Sequence, residues 1–490
     1  MPLPGVKKTA LKAVGLDAIA GFETTNDALN VTRAEVQPRP DYSPRIALLT
    51  PYTGGNLGDA AIQDSIIANL RVRLPGARFS GISLNCDNFV EQHGDSAFSL
   101  CGRDIPFYSR CSGTVAQREQ KGQIGPSSVR TTINLTNIKS ALKRIPIAGW
   151  CLRAVYIFWR ELSHSINGYR FLCSHDLLLV SGGGQLNEQC GGPWGQPYAL
   201  FKWALLAQLA GVPYAIASVG LGAASSKTSR LFLALALRLA KYRSYRDQNT
   251  KTFASALLPC ASTDSVVPDF ALSLPPSKMP RPAGIRSLAG GRPVIAISLI
   301  VYAKPAFWPS TWLQNRELYQ RYTGQMAEVV SELLKRGYFL LFVSSSLGDD
   351  DGVKIELLER LDEDSRKRLG RQTYTPAITK WADLVSLLRD VDVLIASRLH
   401  SAILSFVAQT PTIAISYDRK VDWVMEDLGQ TEYVLQIGDF VAADVFRTLN
   451  RVELQRGDAV GHITSYVHRS LPKFARQYDC LARLAQAARH

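Results

Sequence analysis

Short apolar runs alternate with amphipathic stretches along most of this chain. Residues 46–50, four apolar side chains closed by Thr50, read as a strand, and residues 59–73 place apolar side chains at helical spacing. The couple recurs as a strand at 78–84, a strand at 176–180 before a helix at 196–210, and a strand at 213–219 before a helix at 228–240. A short strand at 242–245 and a helix reaching 257 complete the first half. Strands of this kind separated by helices predict a parallel, doubly wound sheet.

Residues 275–293 break the rhythm with five prolines, three glycines and four basic residues, the composition of a linker. Beyond them the pattern restarts: strands at 294–299, 338–343, 391–395 and 412–416, and helices at 318–336, 353–361, 382–388 and after residue 400. The expected fold is α/β, with two Rossmann-like domains at 44–274 and 294–450 facing each other across a cleft. An arm at 1–43 and a helical segment at 451–490 flank them. Residues 102–170 are an insertion: 109–137 reads as a polar loop, and 138–170 is basic and aromatic. The second part reads either as helices packed on the domain or as an interfacial helix touching an anionic membrane.

At 490 residues, with 46% apolar and 20% charged residues, the chain is globular and large enough for two cores. No run approaches the ~20 apolar residues of a spanning helix, and the N-terminus has no apolar signal core. Its eight cysteines are scattered without a CxxC, which predicts a reduced, cytoplasmic setting and no zinc site. The net charge of +14 calls for an anionic partner: nucleic acid, membrane surface or substrate. No helix-turn-helix, finger or RNA-binding signature supports the first.

Ser397-Arg-Leu-His-Ser401 lies where the strand at 391–395 turns into a helix. Backbone N–H groups without intrahelical partners gather at such a turn, so Arg398 and His400 sit at a ready anion site. Ser416-Tyr-Asp-Arg-Lys420 follows the next strand and brings Lys420 to the same rim, or leaves it as solvated surface. Tyr245-Arg-Asp247 offers Arg246 as an anion clamp or as half of a surface ion pair, with Asp247 as a helix cap. In Asn56-Leu-Gly-Asp59, either Asn56 or Asp59 can cap the first helix and face the cleft, the alternative being a structural turn with a helix cap. Ser181-Gly-Gly-Gly-Gln185 and Cys190-Gly-Gly-Pro-Trp-Gly195 allow close backbone approach, or simply link strand to helix. Of seven histidines only His400 has such a setting, and residues 349–351 read as a solvated acidic loop rather than a metal site.

Together, Asn56-Leu-Gly-Asp59, Ser181-Gly-Gly-Gly184, Tyr245-Arg-Asp247, Pro268-Asp269, Ser397-Arg-Leu-His-Ser401 and Ser416-Tyr-Asp-Arg-Lys420 resemble the polysaccharide pyruvyl transferase family. The resemblance implies a fold similar to GT-B glycosyltransferases and transfer of pyruvate from phosphoenolpyruvate, as a ketal, onto a sugar of a polysaccharide, oligosaccharide or lipid-linked saccharide. No cofactor is expected beside the phosphoenolpyruvate co-substrate, and no HxxxH or carboxylate cluster suggests a metal. The resemblance implies that Arg246, Arg398, Leu399, His400 and Lys420 hold the donor, and that Asn56, Gly58, Gly183 and Gly184 line the acceptor side. His400 is then the first choice for proton transfer and Asp59, on the opposite wall, the second. One departure stands out: Ala60 occupies the place of a family glutamate. Two other readings remain: a GT-B glycosyltransferase with a nucleotide-sugar donor, and a non-catalytic anion- or polysaccharide-binding relative.

Overall fold

The computed structural model describes residues 43–50, 54–93, 95–102, 146–188, 191–303, 315–348 and 350–487, and all its strands pair in parallel. The expected N-terminal arm, through residue 42, and the expected loop at 109–137 lie outside the described residues.

The first sheet contains β1 (Arg45–Leu49), β2 (Arg78–Ser83), β3 (Ala97–Ser99), β4 (Leu177–Leu186), β5 (Tyr214–Leu221), β6 (Tyr242–Tyr245) and β7 (Ser265–Val266). Its spatial order is β3-β2-β1-β4-β5-β6-β7. The helices are α1 (Leu57–Arg73), α2 (Cys86–His93), α3 (Pro146–Leu172), α4 (Gln196–Leu209), α5 (Lys227–Leu239) and α6 (Gln248–Leu257).

The second sheet contains β8 (Val294–Ser298), β9 (Phe339–Val343), β10 (Thr373–Tyr374), β11 (Val393–Ala396), β12 (Thr412–Ser416) and β13 (Val434–Gln436), in the order β10-β9-β8-β11-β12-β13. Its helices are α7 (Ile285–Ala289), α8 (Arg316–Lys335), α9 (Asp351–Leu358), α10 (Glu363–Gln372), α11 (Trp381–Leu388), α12 (Leu399–Val407), α13 (Arg419–Asp427), α14 (Ala442–Leu454) and α15 (Arg456–Ala487).

The central strands β8, β9, β11 and β12 are buried along their whole length, which explains why their sequences are mostly apolar rather than alternating. Fully buried aliphatic side chains such as Ile46, Leu48, Ile66 and Ile395 each contribute roughly 1.5–3 kcal/mol. Strand order reverses between β1 and β4 in one sheet and between β8 and β11 in the other. Ligand crevices of parallel sheets open at those two places. Here the two crevices meet: Leu57 N donates to Ser345 O at 2.9 Å, and Leu347 N donates to Gly55 O at 2.8 Å. Asn56 and Ser346 thereby form an isolated antiparallel bridge across the cleft.

Helix α15 ties the halves together. Near its start Gln430 Nε2 donates to Ala459 O at 2.7 Å, and near its end Gln477 Nε2 donates to Ser218 Oγ at 2.9 Å. Tyr478 meets Ser273 at 2.8 Å, and Asp479 accepts from Arg73 at 2.6 Å.

The structure departs from the sequence reading in detail. β4 does not stop before the glycines but runs through them to Leu186, with a register shift between Gly183 and Leu186. Positive φ values of 65° and 70° at Gly182 and Gly183 make that path possible. β3, β7, β10 and β13 went unpredicted because two or three residues carry no readable period.

Candidate functional site

The first wall of the cleft is the start of α1. Asn56 has extended backbone angles, and its side chain accepts from Gly58 N at 3.0 Å and Asp59 N at 3.5 Å. Asn56 is therefore the cap, and the Asp59 carboxylate is left to face the cleft. Gly58 sits against His400 of the other domain so closely that a β-carbon there would lie 2.1 Å from His400 Cγ. The two helix starts can meet only because residue 58 has no side chain.

The second wall is the turn from β11 into α12. Tyr322 donates to Ser397 Oγ at 2.9 Å, and Ser401 Oγ lies 2.7 Å from Ser298 Oγ and 2.9 Å from Ser345 Oγ. These hydroxyl contacts fix the turn that carries Arg398, Leu399 and His400. The Arg398 guanidinium is not free in the cleft: Nε and Nη2 each donate at 2.6 Å to the two oxygens of Asp350. Asp350 also accepts from Val301 N at 3.2 Å and from Ser344 Oγ at 2.8 Å, and it is 5% exposed. The solvated acidic loop expected at 349–351 is thus corrected at Asp350, which the fixed guanidinium fork draws inward. Asp351 does remain exposed, and residue 349 lies outside the described residues.

Arg246 follows β6, where its backbone N donates to Val219 O at 2.9 Å. Its side chain is 2% exposed, which removes the surface ion-pair alternative. Nη1 reaches Asp269 at 3.5 Å, whereas the buried Nε and Nη2 have no hydrogen-bond partner. The guanidinium lies over Gly220, where a β-carbon would come within 2.6 Å of Nη2. Asp247 caps α6, accepting from Thr250 N at 2.7 Å. Lys420 sits at the start of α13, its Nζ 3.7 Å from Asp418 and 5.1 Å above the Tyr417 ring.

These groups line one cavity of about 220 Å3 between the domains. Of the residues singled out from sequence, Asn56, Asp59, Gly184, Arg246, Arg398, Leu399, His400 and Lys420 all border it. Gly58 lies behind His400, and Gly183 lies beside Asp59, where a β-carbon would be 3.3 Å from Oδ1. Ser345, Ser346 and Tyr417 also border the cavity and were not singled out. The signal for the serines was available, since Ser344-Ser-Ser346 follows β9 at the same sheet edge.

The electrostatics of the cavity are uneven. Burial, then the neighbouring Asp269 carboxylate, push Asp59 up to about 7 against the opposing pull of Arg246 and Lys420. Burial, then Arg246, Lys420 and Arg398, push His400 down to about 3. Its Nε2 is buried without a partner. Asp269 is itself raised by burial, with Arg246 acting against the shift. Lys420 ends above its ordinary value: burial would lower it, but Tyr417 and Asp418 outweigh that. The site therefore pairs an imidazole that resists protonation with a carboxyl that keeps its proton far above the usual carboxylate range, beside the Arg246 and Lys420 side chains.

Three solved structures illustrate what the chain is similar to in fold. The S. aureus MnaA–UDP structure superposes with a TM-score of 0.48 at 11% identity, covering 86% of this chain and 91% of that one. Anabaena Alr3699/HepE with UDP gives 0.46 at 11%, covering 91% and 98%. E. coli ADP-heptose LPS heptosyltransferase II gives 0.40 at 12%, covering 84% and 99%. In sequence, the amylovoran biosynthesis protein AmsJ of Erwinia amylovora is 27% identical over 139 residues, 27% of this chain. That match spans 32% of AmsJ, about a third of its length. The profile of the family described as polysaccharide pyruvyl transferase matches residues 56–419, from the Asn56 cap to the start of α13.

Proposed function

The chain belongs to the polysaccharide pyruvyl transferase family, and from that premise we propose that it transfers pyruvate from phosphoenolpyruvate onto two hydroxyls of a sugar, forming a ketal. The observation that carries this reading is the set of unsatisfied groups around the cavity. Arg246 Nε and Nη2 and His400 Nε2 are buried without partners. A buried donor left unmade costs about 1–3 kcal/mol, so the two open Arg246 N–H groups favour an oxyanion that supplies their acceptors. Phosphoenolpyruvate offers a planar carboxylate for the Arg246 fork and a phosphate for Lys420. Arg398, already neutralised by Asp350, orients the turn and adds a weaker pull.

The acid–base assignment follows from the same electrostatics and puts Asp59 ahead of His400 as proton donor. A carboxyl near 7 carries a transferable proton at neutral pH, whereas an imidazole near 3 carries none. Asp59 gives its proton to the methylene carbon, and positive charge develops at the adjacent carbon. One sugar hydroxyl adds there and passes its proton to His400, whose basicity a bound phosphate dianion raises. The bond from that carbon to the phosphate oxygen then breaks, and phosphate leaves with the His400 proton. The second hydroxyl closes the ketal and its proton restores Asp59.

The test is phosphate release from phosphoenolpyruvate by purified protein over a panel of saccharide acceptors, with products identified by mass. Arg246→Ala should raise the donor KM, and His400→Ala should lower kcat by about 10²–10⁴-fold. Near-full turnover of both variants, or release of a nucleoside diphosphate from a nucleotide sugar instead, would remove the assignment.

A further inference from the structure

Helix α3 is built the wrong way round for a surface helix. Its inner face carries polar groups: Glu161 accepts from Lys202 Nζ at 2.8 Å, and His164 Nε2 lies 2.9 Å from Ser99 O. Gly168 rests on the Trp203 ring, where a β-carbon would be 3.0 Å from the indole. The outer face is apolar. Phe158, Tyr169, Leu162, Val155, Ile166 and Trp159 follow one another around that side of the helix, and all are exposed. Trp159 is 61%, Phe158 62% and the adjoining Tyr156 60% exposed. A surface helix ordinarily buries its apolar stripe and shows its charges. Contiguous apolar patches of this kind mark an interaction surface.

We propose that the outer face of α3 docks this protein on an anionic bilayer surface. Two observations select that occupant. On the described part of α3, Arg160 and Arg170 stand against the single acid Glu161, which Lys202 neutralises on the inner side, and the sequence at 139–153 is basic as well, with two lysines, two arginines and no acid. A second copy of the chain would bring the same positive charge to the interface and repel, whereas an anionic headgroup layer is complementary. The exposed side chains are also of the right kind, since tryptophan and tyrosine settle at the level of the headgroups. No described helix is long and apolar enough to cross a membrane, so the contact is one of lying on the surface. This inference stands apart from the donor chemistry and does not depend on it.

The experiment is co-sedimentation of the full-length protein with vesicles of phosphatidylcholine alone and with phosphatidylglycerol added. Binding to the anionic vesicles that weakens with salt is expected. The triple variant Tyr156→Ser, Phe158→Ser, Trp159→Ser should reduce that partitioning by at least about tenfold. Its far-ultraviolet circular dichroism melt should match the wild type, because all three side chains point away from the core. Arg170→Glu, a single exposed change, should weaken binding to anionic vesicles alone. Absence of binding to anionic vesicles overturns the proposal, as does undiminished binding of the triple variant. Sedimentation velocity showing a wild-type dimer that the triple variant dissociates overturns it in favour of a second copy.

Discussion

Alanine at position 58 would place a methyl carbon 2.1 Å from Cγ, 2.4 Å from Cδ2 and 2.5 Å from Cβ of His400. Non-bonded carbons rest at about 3.5–4.0 Å, so roughly 1.5 Å has to be recovered. Rotation about χ1 can swing the ring away but cannot move Cβ, so α1 and α12 must also part. Such a shift displaces the imidazole by an ångström or more from the position facing Arg246. Misplacement on that scale lowers turnover by about 10²-fold. Helix propensity works the other way: alanine for glycine inside α1 favours the helix by about 1 kcal/mol, and overpacking costs about 1–3 kcal/mol. The variant should therefore fold with a midpoint close to that of the wild type while losing most of its activity. Phosphate release from phosphoenolpyruvate and a thermal melt on the same sample decide the matter. A Gly58→Ala protein with kcat and donor KM within about twofold of wild type would refute the seating of His400 on α1.

Asp269→Asn removes the like charge that raises Asp59 and frees Arg246 to act on it, and both effects lower the Asp59 pKa from about 7. A proton donor is lost as pH rises through its pKa, so the basic limb of kcat/KM should move to lower pH; a limb that stays in place would reassign the donor. Asp350→Asn keeps the volume but leaves Arg398 without its anionic partner, which should cost about 2–3 kcal/mol in urea unfolding. Gln477→Leu strands Tyr242, Ser244 and Ser218, its three partners in the first domain, and should cost about 2–3 kcal/mol by the same assay. An unchanged midpoint there would mean that α15 only decorates the fold.

The apolar runs made both sheets legible, because strands buried on two faces have few other sequence solutions. The site was legible as far as the turn positions, since Asn56, Arg246, His400 and Lys420 all lie at or just beyond strand ends, where ligands bind. What stayed hidden were pairings between distant segments. Asp350 lies 48 residues before Arg398, and nothing local distinguishes it from Asp351, which is exposed. The choice of His400 before Asp59 for proton transfer, as acid or base, also drew on local cues. Helix-start position and a neighbouring arginine were visible, but the burial that dominates both shifts was not. In α3 the aromatic content was plain from sequence, yet only the packing of Glu161 and Gly168 shows which side of the helix is turned outward.

The Asn56–Ser346 crossing is made of main-chain amides and carbonyls, so amino-acid replacement there cannot erase it short of proline. Two such bonds contribute about 1–3 kcal/mol together, whatever side chains surround them. Side chains at the rim of the cavity can thus vary while the backbone stitch between its two walls persists.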